Sequence, residues 1–214
     1  MLTAWILAFA LAVQAAPSAR NTWEKSYAKG TAESFAATFE EPSRALFRYR
    51  AAITGLMQLK PGMTAAEVGA GSGYLARFIA GKVGPEGRVI ANELEPKMVA
   101  YMTERAGKDG LKNFSAVQGQ PTSTGFEPGS IDAIAVVYAF SFFDHPEEML
   151  KSMNASLKQN GLLLIVDAPR EGIEKSAPGL DAEEVVALAD AAGFTRAAEN
   201  GVVPGHYSLI FRKR

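Results

Sequence analysis

The stretch "AAEVGAGSGYLARFIAG", Ala65 to Gly81, passes from an apolar run through Gly69, Gly71 and Gly73 into a helical pattern. It reads as a strand, a glycine loop and a helix. In an open α/β sheet, ligands sit beyond the carboxyl ends of the strands, and glycines there let the backbone approach them closely. The spacing narrows the ligand. A dinucleotide fingerprint requires G-x-G-x-x-G, and Tyr74 stands where its third glycine would fall; a phosphate loop requires a Lys that does not follow here. The loop therefore argues against NAD or FAD. Two readings stay open on the loop alone: a cradle for a ligand without a pyrophosphate, and a glycine-rich turn with no ligand.

Working outward, apolar runs alternate with amphipathic ones. Strands are expected at 65–69, 88–93, 114–118, 131–137 and 162–167, spaced too widely for hairpins and suitably for βαβ crossovers. Between them, Leu75, Phe78, Ile79 and Val83 share one helical face, as do Met98, Tyr101 and Met102. A helix is expected over 43–57, with Ser43 as its N-cap and Tyr49, Ile53, Leu56 and Met57 on one face. "DHPEEMLKSMNASLKQNG" predicts another, capped by Asp144 or His145, with Pro146 in its first turn and Gly161 closing it. In "DAEEVVALADAAGF", Asp181 and Glu184 have capping-box spacing. The tail holds two strand-like runs separated by a few residues that include Gly201, Pro204 and Gly205, so the last strand runs antiparallel to the one before it. The fold class is α/β, a mostly parallel sheet with helices on both faces.

Length and composition fit this. The chain has 214 residues, 22 Lys and Arg against 23 Asp and Glu, a net charge of −1 and no cysteine. One domain, or one domain plus an appendage, is expected, with no basic stripe for nucleic acid, no disulfide, no thiolate zinc site and no Cys nucleophile; no metal is expected. Residues 1–15, "MLTAWILAFALAVQA", have the order of a secretory leader, with cleavage expected after Ala15. The run is short for a bilayer span, so no stable membrane anchor is expected after cleavage. The competing readings are a buried N-terminal helix and a misplaced start. With the leader functional, the location is exported and periplasmic; without it, cytoplasmic.

Glu93 closes the second strand, 20 residues after Gly73. That is about the distance at which a carboxylate from the second strand reaches ribose hydroxyls. The plain alternative is a solvated glutamate at a strand end.

Taken in order, "AAEVGAGSGYLARFIA", "GRVIANELEPKMV", "NFSAVQGQP", "SIDAIAVVYAF" and "HPEEMLKSMNASLKQNGLLLIVD" resemble the successive motifs of class I S-adenosylmethionine-dependent methyltransferases, most closely the small-molecule branch. The likeness runs over about 59–212. It implies a Rossmann-like three-layer sandwich with a seven-stranded, mostly parallel sheet and an antiparallel last strand, in agreement with the tail. It also implies S-adenosylmethionine as cofactor, with Glu67, Gly69, Gly71 and Gly73 around its methionine part, Glu93 on the ribose, Leu94 against the adenine and Gln120 at the adenine edge. The chain departs from the pattern twice. Gln120 stands where an aspartate is common, and an amide can still accept from an adenine amino group and donate to a ring nitrogen. Ser141 and Phe142 stand where many relatives carry histidines.

A histidine base is therefore not transferable. Tyr138, at the end of the fourth strand, and His145 are the weak catalytic candidates; packing and capping roles compete with them. His206, opening the last strand, reads as structural. Residues 16–58 are expected to form a helical segment with Trp23, Tyr27, Phe35 and Phe39 as an apolar lid over the methyltransferase domain of residues 59–214. The expected function is methyl transfer to a small, apolar or aromatic acceptor. The alternative is a non-catalytic exported module that keeps the fold.

Overall fold

The computed structural model of the protein describes Lys25 and residues 27–170 and 179–214. The leader of residues 1–15 and Trp23 lie outside the described residues. Seven strands, β1 (Thr64–Val68), β2 (Arg88–Glu93), β3 (Phe114–Gln118), β4 (Ile131–Val137), β5 (Leu157–Asp167), β6 (Phe194–Asn200) and β7 (Tyr207–Lys213), form one sheet in the order β3-β2-β1-β4-β5-β7-β6. The neighbours from β3 to β5 are parallel, while β7 runs antiparallel to both β5 and β6. The chain thus has the seven-stranded Rossmann-like sheet with a single reversed strand.

Central parallel strands are covered on both faces, so they bury successive residues rather than alternate ones. β4 and β5 behave this way. Leu162, Leu164 and Val166 of β5 face the core that holds α3 (Arg50–Leu56) and α4 (Tyr74–Val83), through Ile53, Leu75, Ile79 and Val83. Leu163 and Ile165 face the opposite core, against Leu150 and Met153 of α6 (Pro146–Ser156) and Val185 and Ala189 of α7 (Ala182–Ala191). The period of two along one strand serves both layers. The capping box at Asp181 and Glu184 is formed.

Three boundaries differ from expectation. The helix over 43–57 is divided into α2 (Ala45–Arg48) and α3, with Tyr49 at φ −92°, ψ 11° between them. The Arg50 guanidinium lies 4.2 Å from the Phe47 ring centroid and donates to the Phe47 carbonyl at 2.7 Å, taking an oxygen that a continuous helix would use. Arg44 holds the N-cap position of α2, and Ser43 bonds to Glu41 instead. β1 begins and ends one residue earlier, since Gly69 turns left-handed at φ 75°. Gly161 does not close α6. The helix stops at Ser156 because buried Leu157 is extended and pairs with Ile131, and β5 then shifts register through Asn160 at φ 62°. A Cβ at Gly161 would come within 2.9 Å of Leu157 and the Lys158 carbonyl, so the irregular passage needs glycine there.

Candidate functional site

The β1–α4 loop is bent toward the end of β2. Gly69, Gly71 and Gly73 all have positive φ, at 75°, 55° and 71°, and the Gly69 and Ala70 N–H groups both donate to the Asn92 carbonyl. The Glu93 carboxylate completes the turn. Oε2 accepts from Gly71 N–H at 2.8 Å, and Oε1 accepts from the N–H groups of Leu94 at 2.8 Å and Glu95 at 3.1 Å. Burial pushes the Glu93 carboxyl above its ordinary range, and these three donors pull it back in part. One carboxylate therefore ties the glycine loop to the second strand.

Glu67 is buried below the loop and accepts from Ala76 N–H at 2.8 Å. Burial pushes its carboxyl up to about 8, with the Glu93 charge adding to the rise. Leu94 is 37% exposed, the large hydrophobic residue left open among the described residues. Gln120 is exposed, and its backbone bridges to Ser123. Gly119 N–H donates to the Glu93 carbonyl at 2.9 Å, and a Cβ at Gly119 would collide with Asn92, so this turn closes tightly on β2. Glu67, the three glycines, Glu93, Leu94 and Gln120 thus stand along the carboxyl ends of β1, β2 and β3. The Ser72 hydroxyl, inside the loop, is buried without a hydrogen-bond partner among the described residues.

An aromatic row crosses this rim. Phe39, at the end of α1 (Ala32–Phe39), lies 3.1 Å from the position a Gly71 Cβ would take, and the Phe35 and Phe39 centroids are 6.2 Å apart. Tyr27 and Phe35 follow at 4.5 Å. Burial, then the carboxylates of Glu93 and Glu95, push the Tyr27 phenol up. Lys97 donates to the carbonyls of Tyr27 and Gly30, and Glu40 just after α1 pairs with Arg77 at 2.9 Å. The segment is therefore fastened at both ends.

Beyond Phe39, the row reaches β4 and β7. The Arg44 guanidinium lies 5.6 Å from the Phe39 centroid and 5.7 Å from that of Tyr138. Tyr138 has φ 53°, costly for a bulky residue, and its N–H donates to the Val166 carbonyl at 2.7 Å. Its ring lies 6.0 Å from Phe142 and 5.8 Å from His206. His145 holds the N-cap position of α6 without a side-chain cap, exposed, its Nδ1 3.9 Å from Glu148.

The sequence reads His206 as structural, and the fold adds where it stands. The reversed last strand brings it to this rim: Tyr207 pairs with Asp167, the final residue of β5, so the residue before β7 lies where parallel strands end. The signal was the antiparallel tail itself.

Residues 65–161 match a family model described as a methyltransferase domain. The chain is 27% identical over 118 residues to a ubiquinone/menaquinone biosynthesis C-methyltransferase of Ectopseudomonas mendocina, covering 55% of this chain and 46% of that protein. It is 34% identical over 116 residues to a protein-L-isoaspartate O-methyltransferase of Methanopyrus kandleri, covering 54% and 49%. The chain spans about half the length of these curated relatives. A crystal structure of an S-adenosylmethionine-dependent methyltransferase from Aquifex aeolicus shares the fold, with a TM-score of 0.78 at 23% identity over 87% of this chain and all of that one.

Proposed function

We propose that the protein is an S-adenosylmethionine-dependent methyltransferase acting on a small apolar or aromatic acceptor. The observation that carries this reading is the Glu93 carboxylate, set at the end of β2 and hydrogen-bonded across to Gly71, with Leu94 exposed beside it. A carboxylate and an apolar side chain side by side suit a ribose and an adenine, and the positive-φ glycines leave bare backbone for the amino-acid end. The orphaned Ser72 hydroxyl in the same loop fits a polar ligand group. The cofactor, once bound, supplies an activated methyl group on a sulfonium sulfur.

The protein's part is then to hold the acceptor in line and exclude water. Tyr27, Phe35 and Phe39 are suited to that covering role. Calorimetric titration with S-adenosylhomocysteine tests the cofactor, and mass spectrometry of extracts incubated with labelled S-adenosylmethionine tests transfer. Saturable binding with a labelled product supports the enzyme. No binding by the folded protein refutes the cofactor reading. Binding without any labelled product favours the alternative, a non-catalytic module, which draws on Gln120 at the adenine turn and on Ser141 and Phe142 in the short 3₁₀ helix after β4. We further propose export through the leader of residues 1–15; N-terminal sequencing from the native host would find a mature chain starting at Ala16, and a chain starting at Met1 refutes it.

A further inference from the structure

We propose that His206 is the acceptor-side general base, taking the proton of a phenolic hydroxyl on an aromatic acceptor that packs against Tyr138 and Phe142. The inference rests on the methyl-transfer reading above. It starts from the hydrogen bond at Nδ1, which lies 2.9 Å from the Pro204 carbonyl oxygen. A carbonyl oxygen only accepts, so Nδ1 carries the proton and the neutral ring keeps its lone pair at Nε2. The ring makes no other hydrogen bond among the described residues and is half-buried. A basic nitrogen is thus fixed in one tautomer and left open.

Its surroundings define what it would serve. Glu67, Glu93, Leu94 and Gln120 lie on the β1–β3 side of the rim, whereas Tyr138, Phe142 and His206 lie on the β4–β7 side. Gly69 joins the halves: a Cβ there would come within 2.5 Å of Ala139, the residue after Tyr138. The left-handed backbone of Tyr138 is the kind of strain retained where a side chain must be aimed. Rings of Phe142 and His206 on either neighbour of Tyr138 suit a flat aromatic acceptor. Arg44 also approaches Tyr138 and is held by the Phe39 carbonyl at 3.2 Å, so the corner contains a fixed cation that favours a developing phenolate.

The step balances with these groups. The acceptor oxygen forms its bond to the methyl carbon while the sulfur–carbon bond breaks and leaves its electron pair on sulfur. The hydroxyl proton passes to Nε2, giving an aryl methyl ether, a neutral thioether and an imidazolium. Asp167, buried at the end of β5, is pushed up by burial and pulled back in part by the N–H groups of Ser141 and Ala168 and, least, by the charge of His206.

The chain has two histidines, so imidazole ¹⁵N NMR can follow this one, with His145→Gln assigning the other. In the complex with S-adenosylhomocysteine, His206 should show the Nδ1–H tautomer, and added catechol or hydroquinone should shift its Nε2 resonance and leave His145 unmoved. His206→Asn keeps a donor toward Pro204 and removes the base. Methylation of catechol should fall about 100-fold or more in this variant, while methylation of a nitrophenol already ionised at the assay pH falls by less than about tenfold. Thermal stability and S-adenosylhomocysteine affinity should stay unchanged. An unmoved Nε2, equal losses with both phenols, or no phenol methylated by a wild-type protein that binds the cofactor product overturns the assignment. Failure of the wild type to bind S-adenosylhomocysteine overturns the underlying reading instead.

Discussion

Glu93 joins two roles in one side chain. It receives three backbone N–H groups and, in the proposed function, also faces the ribose. Hydrogen bonds to a charged group contribute about 1.5–3 kcal/mol, so Glu93→Ala should weaken S-adenosylhomocysteine about tenfold or more. Calorimetry on the folded variant checks this, and unchanged affinity removes Glu93 from the site. Glu67 makes a different prediction. The native chain keeps it protonated up to about pH 8, whereas the unfolded chain ionises it near about 4.3. Between these values the native state binds more protons, and stability falls as pH rises, by at most about 1.4 kcal/mol per pH unit from this group. Glu67→Gln removes that slope. Its stability relative to the wild type should climb from about pH 5 to about pH 8 and level off above, as read from urea midpoints; an offset constant with pH refutes it. The position of Glu93 could be read from its spacing to Gly73, because strand and loop lengths are local. The exposure of Tyr138 and His206 to one another could not, since it arises from a left-handed residue and a strand reversal far apart in sequence.

At the scale of elements, periodicity located the parallel strands, and β2, β3 and β4 have the expected limits. Two helix boundaries failed where another partner competed for the helical backbone. Arg50 captures the Phe47 carbonyl and interrupts a helix whose apolar face is otherwise continuous, and Leu157 pairs with Ile131 where a helical pattern would carry on to Gly161. Neither competition leaves a mark in local composition. The glycine loop was legible because its bare backbone is written as residue type. Gly71→Val should test it: the added side chain would meet Phe39 from 3.1 Å and force a β-branched residue to φ 55°. Strain of this kind costs about 1–3 kcal/mol, and the filled cradle should abolish S-adenosylhomocysteine binding. Circular dichroism establishes that the variant folds, and normal binding by a folded variant refutes the loop's role.

In the proposed function, the whole molecule separates its two tasks along one edge of the sheet. Strand order β3-β2-β1 carries the carboxylates and the open leucine, and β4-β5-β7 carries the aromatic corner, so the first reversal of strand order, between β1 and β4, is also the seam of the site. The overall topology was legible because widely spaced strands demand crossovers and the short tail connection forbids one. The row from Tyr27 to Tyr138 was legible only as a set of aromatics ahead of the domain. Its seating depends on Lys97, Arg77 and Arg44, three cations from separate places that reach it through carbonyls, a carboxylate and ring faces.

If Phe39, resting on Gly71, gates the loop in the proposed function, entry becomes a timed event: a ligand that needs the space under the ring waits for it to lift, and once ligand is abundant its arrival is limited by the protein's own opening and not by collision. In stopped-flow mixing with S-adenosylhomocysteine, the observed rate should climb with concentration and then reach a ceiling equal to the opening rate. Phe39→Ala should raise that ceiling and tighten apparent affinity, because less of the population is shut at any instant. A rate that stays linear with concentration in both proteins would mean that the ring is no gate.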